Sequence, residues 1–205
     1  MGVLISESGI EPPRLFLKYR SRRSLFKAFI TMGLMLTFTL SGNPARADEP
    51  LEYDVKAAFL YKFGAYVEWP SAAFEPPSSP LTLCVLGSND EFISILEKVA
   101  GTESINTRSV IVKPIKMVEP NLGCQIVYID TTEKQRISQA IETLRGSNVL
   151  TVSNGGSAGI INFVISDNRV RFNIDDDAAA QNGLIISSKL LSVALKVKKR
   201  TSKSI

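Results

Sequence analysis

The stretch Leu81-Thr-Leu-Cys-Val-Leu-Gly87, followed by Ser88-Asn-Asp-Glu-Phe-Ile-Ser-Ile-Leu-Glu-Lys-Val-Ala100, decides the fold class. Its first six residues are almost uniformly apolar, the pattern of a strand buried on both faces. Gly87 then turns the chain, and Ser88 with Glu91 three residues on forms a capping box that opens a helix. Within that helix Phe92, Ile95, Leu96 and Val99 recur at helical spacing, so one face is apolar. A buried strand running at once into an amphipathic helix is the first half of a βαβ unit, which requires a parallel sheet.

The same logic extends in both directions. A second strand is predicted over 109–115 and a third, after the turn 119–123, over 124–129. Thr131 or Thr132 caps the next helix, which buries Ile137, Ala140, Ile141 and Leu144 and stops at Gly146. A short strand over 148–152 completes a β-α-β-β-α-β run. Alternating segments 160–165 and 169–174, joined by Ser166-Asp-Asn168, read as a β-hairpin. A short helix near 176–181 is stopped by Gly183, and a closing helix is predicted over 187–198. The basic segment 199–205 reads as a frayed tail. Upstream, Val55, Ala58, Phe59, Phe63, Tyr66 and Val67 mark a helix over about 51–67, with Lys62 the polar exception. It is ended by Trp69-Pro70 and followed by a Pro/Ser-rich loop over 71–80. The expected architecture is a single α/β domain over 48–198. It has a mostly parallel central sheet, an antiparallel edge hairpin and helices on both faces.

The charge balance separates the first 47 residues from the rest. Seven of the 24 basic residues lie there against two of the 20 acidic ones, so the remaining chain carries 17 and 18, a net charge of −1. A basic surface for nucleic acid is thereby excluded. Residues 1–47 have the parts of an export signal: a basic stretch over 18–27, an apolar run over 28–40, and the small-x-small triplet Ala45-Arg46-Ala47. The apolar run falls short of the roughly 20 residues that span a bilayer. Cleavage after Ala47 leaves Asp48 as the new N-terminus, and the expected location is the periplasm. Ser21-Arg-Arg-Ser-Leu-Phe-Lys27 resembles a twin-arginine signal. The general secretory route stays open beside it.

The chain has no histidine, which removes Ser-His-Asp and Cys-His nucleophiles and nearly all zinc hydrolase sites. Ser187-Ser188-Lys189 does not place serine and lysine on one helix face, so it reads as an N-cap and a solvated lysine. Asp175-Asp176-Asp177 lacks the pattern of a calcium loop and suits the first turn of a short helix. Gly155-Gly156-Ser-Ala-Gly159 lacks the lysine of a phosphate loop and precedes a strand, so it reads as a flexible connection. No metal or cofactor is expected. In an exported protein the only two cysteines, Cys84 and Cys124, favour a bridge over two free thiols, and their side chains meet if the two strands are neighbours.

Several motifs then converge. Tyr53-Asp-Val-Lys-Ala-Ala-Phe-Leu-Tyr61, Val67-Glu-Trp-Pro70, Cys84-Val-Leu-Gly87, Gly123-Cys-Gln-Ile-Val-Tyr-Ile129, Arg171-Phe-Asn-Ile174, Gly183-Leu and Ile186-Ser-Ser-Lys-Leu-Leu191 follow in order. Together they resemble the YfiR-like family of periplasmic proteins. The resemblance implies one α/β domain, often a homodimer, with a disulfide joining Cys84 and Cys124 and no catalysis. It also implies repression of an inner-membrane diguanylate cyclase by contact with its periplasmic sensor domain, and hence control of cyclic-di-GMP and biofilm. An outer-membrane lipoprotein can sequester such repressors. The loop between Val152 and Ile160 is shorter than usual in the family and lacks its Gly-Phe segment, and the second cysteine pair of some members is absent. The alternative is a periplasmic protein that binds a small ligand at the carboxyl ends of the strands. The expected partner contacts are the points read as exposed or flexible: Trp69, Gly155, Gly156, Gly159, and Asp167-Asn168 at the hairpin turn.

Overall fold

The computed structural model describes residues 49–201 apart from 75, 88, 89, 103 and 157. The export signal, its cut between Ala47 and Asp48, the capping Ser88 and residues 202–205 lie outside the described residues.

Apolar spacing folds Glu49–Ala65 into helix α1, which buries Ala57, Leu60 and Phe63 completely. A two-residue strand β1, Val67–Glu68, and a single 3-10 turn, Ser71–Ala73, lead to strand β2, Leu81–Leu86. Then follow α2 (Asp90–Ala100), β3 (Val110–Ile115), β4 (Ile126–Ile129), α3 (Lys134–Thr143) and β5 (Leu150–Asn154). The hairpin is β6 (Ile161–Ser166) and β7 (Arg169–Asp175). The chain closes with α4 (Asp176–Gln181), β8 (Ile185–Ile186), α5 (Ser188–Val193) and β9 (Lys196–Lys198).

Seven strands make one sheet in the order β3-β2-β4-β5-β6-β7-β9, and β1 pairs β8 antiparallel in a separate two-stranded ladder. Strands β3, β2, β4, β5 and β6 run parallel to one another, as the buried-strand reading requires. The hairpin supplies the antiparallel pair. Its loop is the two residues Asp167 and Asn168, both at positive φ (51° and 58°). That is the turn geometry whose twist matches paired strands, and Asp and Asn tolerate it.

The closing segment departs from expectation. Instead of one helix over 187–198, α5 ends at Val193, and Ala194 adopts an extended conformation. Leu195 N then donates to Phe172 O at 2.8 Å, and β9 pairs in parallel with Asn173, Ile174 and Asp175 outside the hairpin. The described start of the tail is also anchored. Lys198 Nζ reaches Asp175 Oδ2 at 2.8 Å, Arg200 forks onto Asp176 at 2.9 and 3.1 Å, and Thr201 N donates to Asp177 at 3.1 Å. The acidic triplet is thus occupied by the chain's own cationic end. These ladder bonds and ion pairs outweigh local helical preference.

Alternation along the strands divides the core. Leu81, Leu83 and Val85 of β2 face α1 and α2, together with Tyr128, Phe163 and Phe172. Cys84 and Leu86 face the other way and pack with Val127, Ile129, Ala140, Leu144 and Val149 under α3.

Candidate functional site

At the carboxyl ends of β4 and β5 a polar chain ties α1 to the sheet. Lys56 is 3 % exposed and makes an ion pair with Glu52 one turn earlier. Its ammonium also donates to Asn154 Oδ1 at 2.7 Å, and Asn154 Nδ2 donates to Asp130 Oδ1 at 2.8 Å. Gly87 lets this corner close, because a Cβ there would lie 2.4 Å from the Asp130 carbonyl oxygen. Beneath the corner Tyr128 is buried. Loss of hydration pushes its phenol well above the usual tyrosine range, and the neighbouring Asp130 carboxylate adds to the effect. Lys56 therefore acts as a strut with satisfied bonds.

The connection from β5 to β6 has no helix. Its loop folds over the second face and is held by buried amide and hydroxyl groups. Asn162 Oδ1 accepts from Ser153 Oγ at 2.6 Å and from Gly159 N at 2.9 Å, while its Nδ2 donates to Gly159 O at 2.8 Å. Ile160 N donates to Thr151 Oγ1 at 3.0 Å. A Cβ on Gly159 would meet Ile161 O at 2.9 Å and Thr151 O at 3.0 Å, so no larger residue fits.

An apolar groove of about 410 Å³ runs between α1, β7 and α5, with Phe59, Phe63, Tyr66, Phe172, Leu190 and Val193 in its walls. Val193 is 59 % exposed and Tyr66 38 %. Lys62 and Lys189 flank it. Such a groove suits a protein segment that sets apolar side chains beside carboxylates.

On the second face the two cysteines are joined. Cys84 and Cys124 form a disulfide with Cα atoms 5.9 Å apart, between strands that are hydrogen-bonded neighbours. The model of the DUF4154 family, described as YfiR/HmsC-like, matches residues 53–195, nearly all of the described chain. The chain belongs to the YfiR/HmsC-like family. Members of the YfiR/HmsC-like family are typically periplasmic binding proteins without catalysis, and the match gives this chain a non-catalytic, broadly regulatory role with a protein partner in signalling.

For a YfiR/HmsC-like protein, the residues expected to contact a partner are dispersed. Gly155 and Gly156 are exposed and follow the carboxyl end of β5, and Asp167 and Asn168 are exposed beyond the carboxyl end of β6. These four lie at one end of the sheet. Trp69 lies at the other, half-buried rather than exposed, edge-on to Phe74 with centroids 6.2 Å apart, while the Arg108 guanidinium stacks 3.9 Å from the Phe74 ring. Gly159 is buried rather than exposed, and its missing side chain lets the loop close. Ser187 accepts from Leu190 N as the N-cap of α5, as read. Sequence reasoning missed Lys56, Asp130 and Asn154. The one available signal was Glu52 four residues before Lys56 on the helix.

Proposed function

We propose that this protein represses a membrane-bound diguanylate cyclase by contacting its periplasmic sensor domain. The reading rests on the family match over residues 53–195, with the disulfide at the cysteine pair that the resemblance implied. The groove between α1 and α5 takes an apolar, acidic segment of the sensor domain, with the Asp167-Asn168 turn and the Gly155-Gly156 loop as secondary contacts. Trp69, at the opposite end, serves a second contact such as a homodimer or a sequestering lipoprotein. The repressor works by binding the inactive sensor conformation better than the active one, which shifts the population toward the inactive state.

The test is the cellular cyclic-di-GMP level after deletion and restoration of the gene. Deletion raises it, the full chain restores it, and a chain lacking residues 1–47 does not. An unchanged level under conditions of expression overturns the reading.

A further inference from the structure

A cleft among the described residues lies at the amino ends of the parallel strands, the opposite end from the Lys56 chain. It has a volume of about 730 Å³ and is bounded by the 3-10 turn, the start of β2, the approach to β4 and the residues between α3 and β5. That volume falls within the range of small-molecule sites, roughly 300–1,000 Å³.

Two buried amide side chains hold its walls. Gln125, 6 % exposed, accepts from Thr82 N at 2.8 Å and donates to Ala73 O at 2.6 Å, which fixes the 3-10 turn against β2. Asn182, equally buried, accepts from Gly146 N at 2.8 Å and donates to Leu144 O at 3.2 Å and Val149 O at 2.9 Å. Asn148 Nδ2 completes that wall by donating to Asn182 O at 3.0 Å. Cys124 is among the lining residues, so the disulfide stiffens that part of the lining. The cleft is therefore formed before any ligand arrives, which lowers the ordering cost of binding.

Its chemistry narrows the ligand. Among the described residues that line it, none is ionisable. Those residues offer a charged molecule no counter-charge to offset its lost hydration. Thr82 and Asn121 instead present a hydroxyl and an amide, and Thr143, Ser147 and Asn148, whose donors are bonded to Gln139 O, Leu144 O and Asn182 O, add acceptor oxygens beside the apolar ledges of Leu122 and Val149. From this lining we propose that the amino-end cleft binds a small neutral molecule bearing hydroxyls and amides, the chemistry of an N-acetylated saccharide. This goes beyond the cyclase reading, and its test involves no cyclase, so either can fail alone.

The experiment titrates the exported, oxidised protein with N,N′-diacetylchitobiose and follows backbone amides by NMR, with glucosamine 6-phosphate as the charged comparison. Expected are saturable shifts confined to residues 72–82, 121–125 and 143–149 with a dissociation constant of about 1 mM or tighter, and binding of the charged sugar weaker by about tenfold or more. Ala72→Arg, at an exposed position of the rim, abolishes the shifts. Asn121→Gly weakens binding several-fold while preserving the backbone, since Asn121 already sits at φ 61°. Absence of saturation, shifts elsewhere, tighter binding of the charged sugar, or full binding by Ala72→Arg overturns the proposal.

Discussion

The two faces of the sheet reach stability by different means. The first is packed with rings: Phe63 meets Phe163 and Phe172 at centroid distances of 5.8 and 5.1 Å, and Phe92 meets Tyr128 at 5.1 Å. Large aromatic surfaces are buried there under α1 and α2, among aliphatic side chains, and each removes much apolar area from water. Among the described residues the second face is covered by α3 and the β5–β6 loop, and its buried apolar side chains are aliphatic apart from the cystine. Toward β6 that face becomes polar, with Thr151, Ser153 and Asn162 bonded to the glycine loop. A covalent staple and buried hydrogen bonds stand where the other face uses rings. A thin layer can thus be held firmly without a second large core.

The contrast is broken most directly by removing one anchor from each side. Phe63→Ala on the ring face is expected to cost about 3–5 kcal/mol. Cys84→Ala with Cys124→Ala, which opens a separation of 40 residues, is expected to cost up to about 4 kcal/mol on the chain-entropy account. Urea midpoints measure both. A cysteine double variant that loses less than about 1 kcal/mol would show that α3 holds its face without the staple. Next in size, Asn162→Ala leaves the buried amide and carbonyl of Gly159 unpaired and should cost about 2–3 kcal/mol, with faster hydrogen exchange confined to β5, β6 and their loop. Exchange that accelerates equally in α1 would erase the distinction between the faces. The smallest effect concerns Tyr128. Its phenol ionises near pH 10 when unfolded but far higher when buried, so the folded state holds the proton that the unfolded state releases. Stability is unaffected below pH 10 and falls above it, by about 1.4 kcal/mol per pH unit once unfolded Tyr128 is ionised. Tyr128→Phe should flatten that part of the alkaline denaturation curve, and an identical slope in the variant refutes the assignment.

Much of this architecture is legible in the sequence because local patterns and long-range needs agree. The run 81–86, the helix after it, the third helix with Ala140 and Leu144, and the hairpin all fall within a few residues of their predicted limits. The closing segment fails for a reason that can be named. Leu190, Leu191, Ala194 and Leu195 have helical spacing, but the vacant edge of β7 and the carboxylates of Asp175 and Asp176 draw the chain into a strand. Nothing within residues 187–198 encodes that edge. Lys56 is illegible likewise, since a helical lysine reads as solvated and its acceptor Asn154 is 98 positions away. Trp69 reads as exposed from its place at a helix exit, whereas β1 pairs with β8 and folds that exit back onto the core. The groove eludes the sequence too, because Tyr66, Phe172 and Val193 become one surface only after the sheet is assembled.

The disulfide also sets what happens when the backbone is cut. Strand β3 lies at the rim of the sheet, and together with α2 it falls wholly inside the segment enclosed by Cys84 and Cys124. A protease nick anywhere in residues 85–123 therefore yields two fragments that remain one covalent molecule. The severed rim can peel away and re-seat on β2 without ever diffusing off, so damage at the edge of the sheet becomes a local, repeatable opening rather than the loss of a piece.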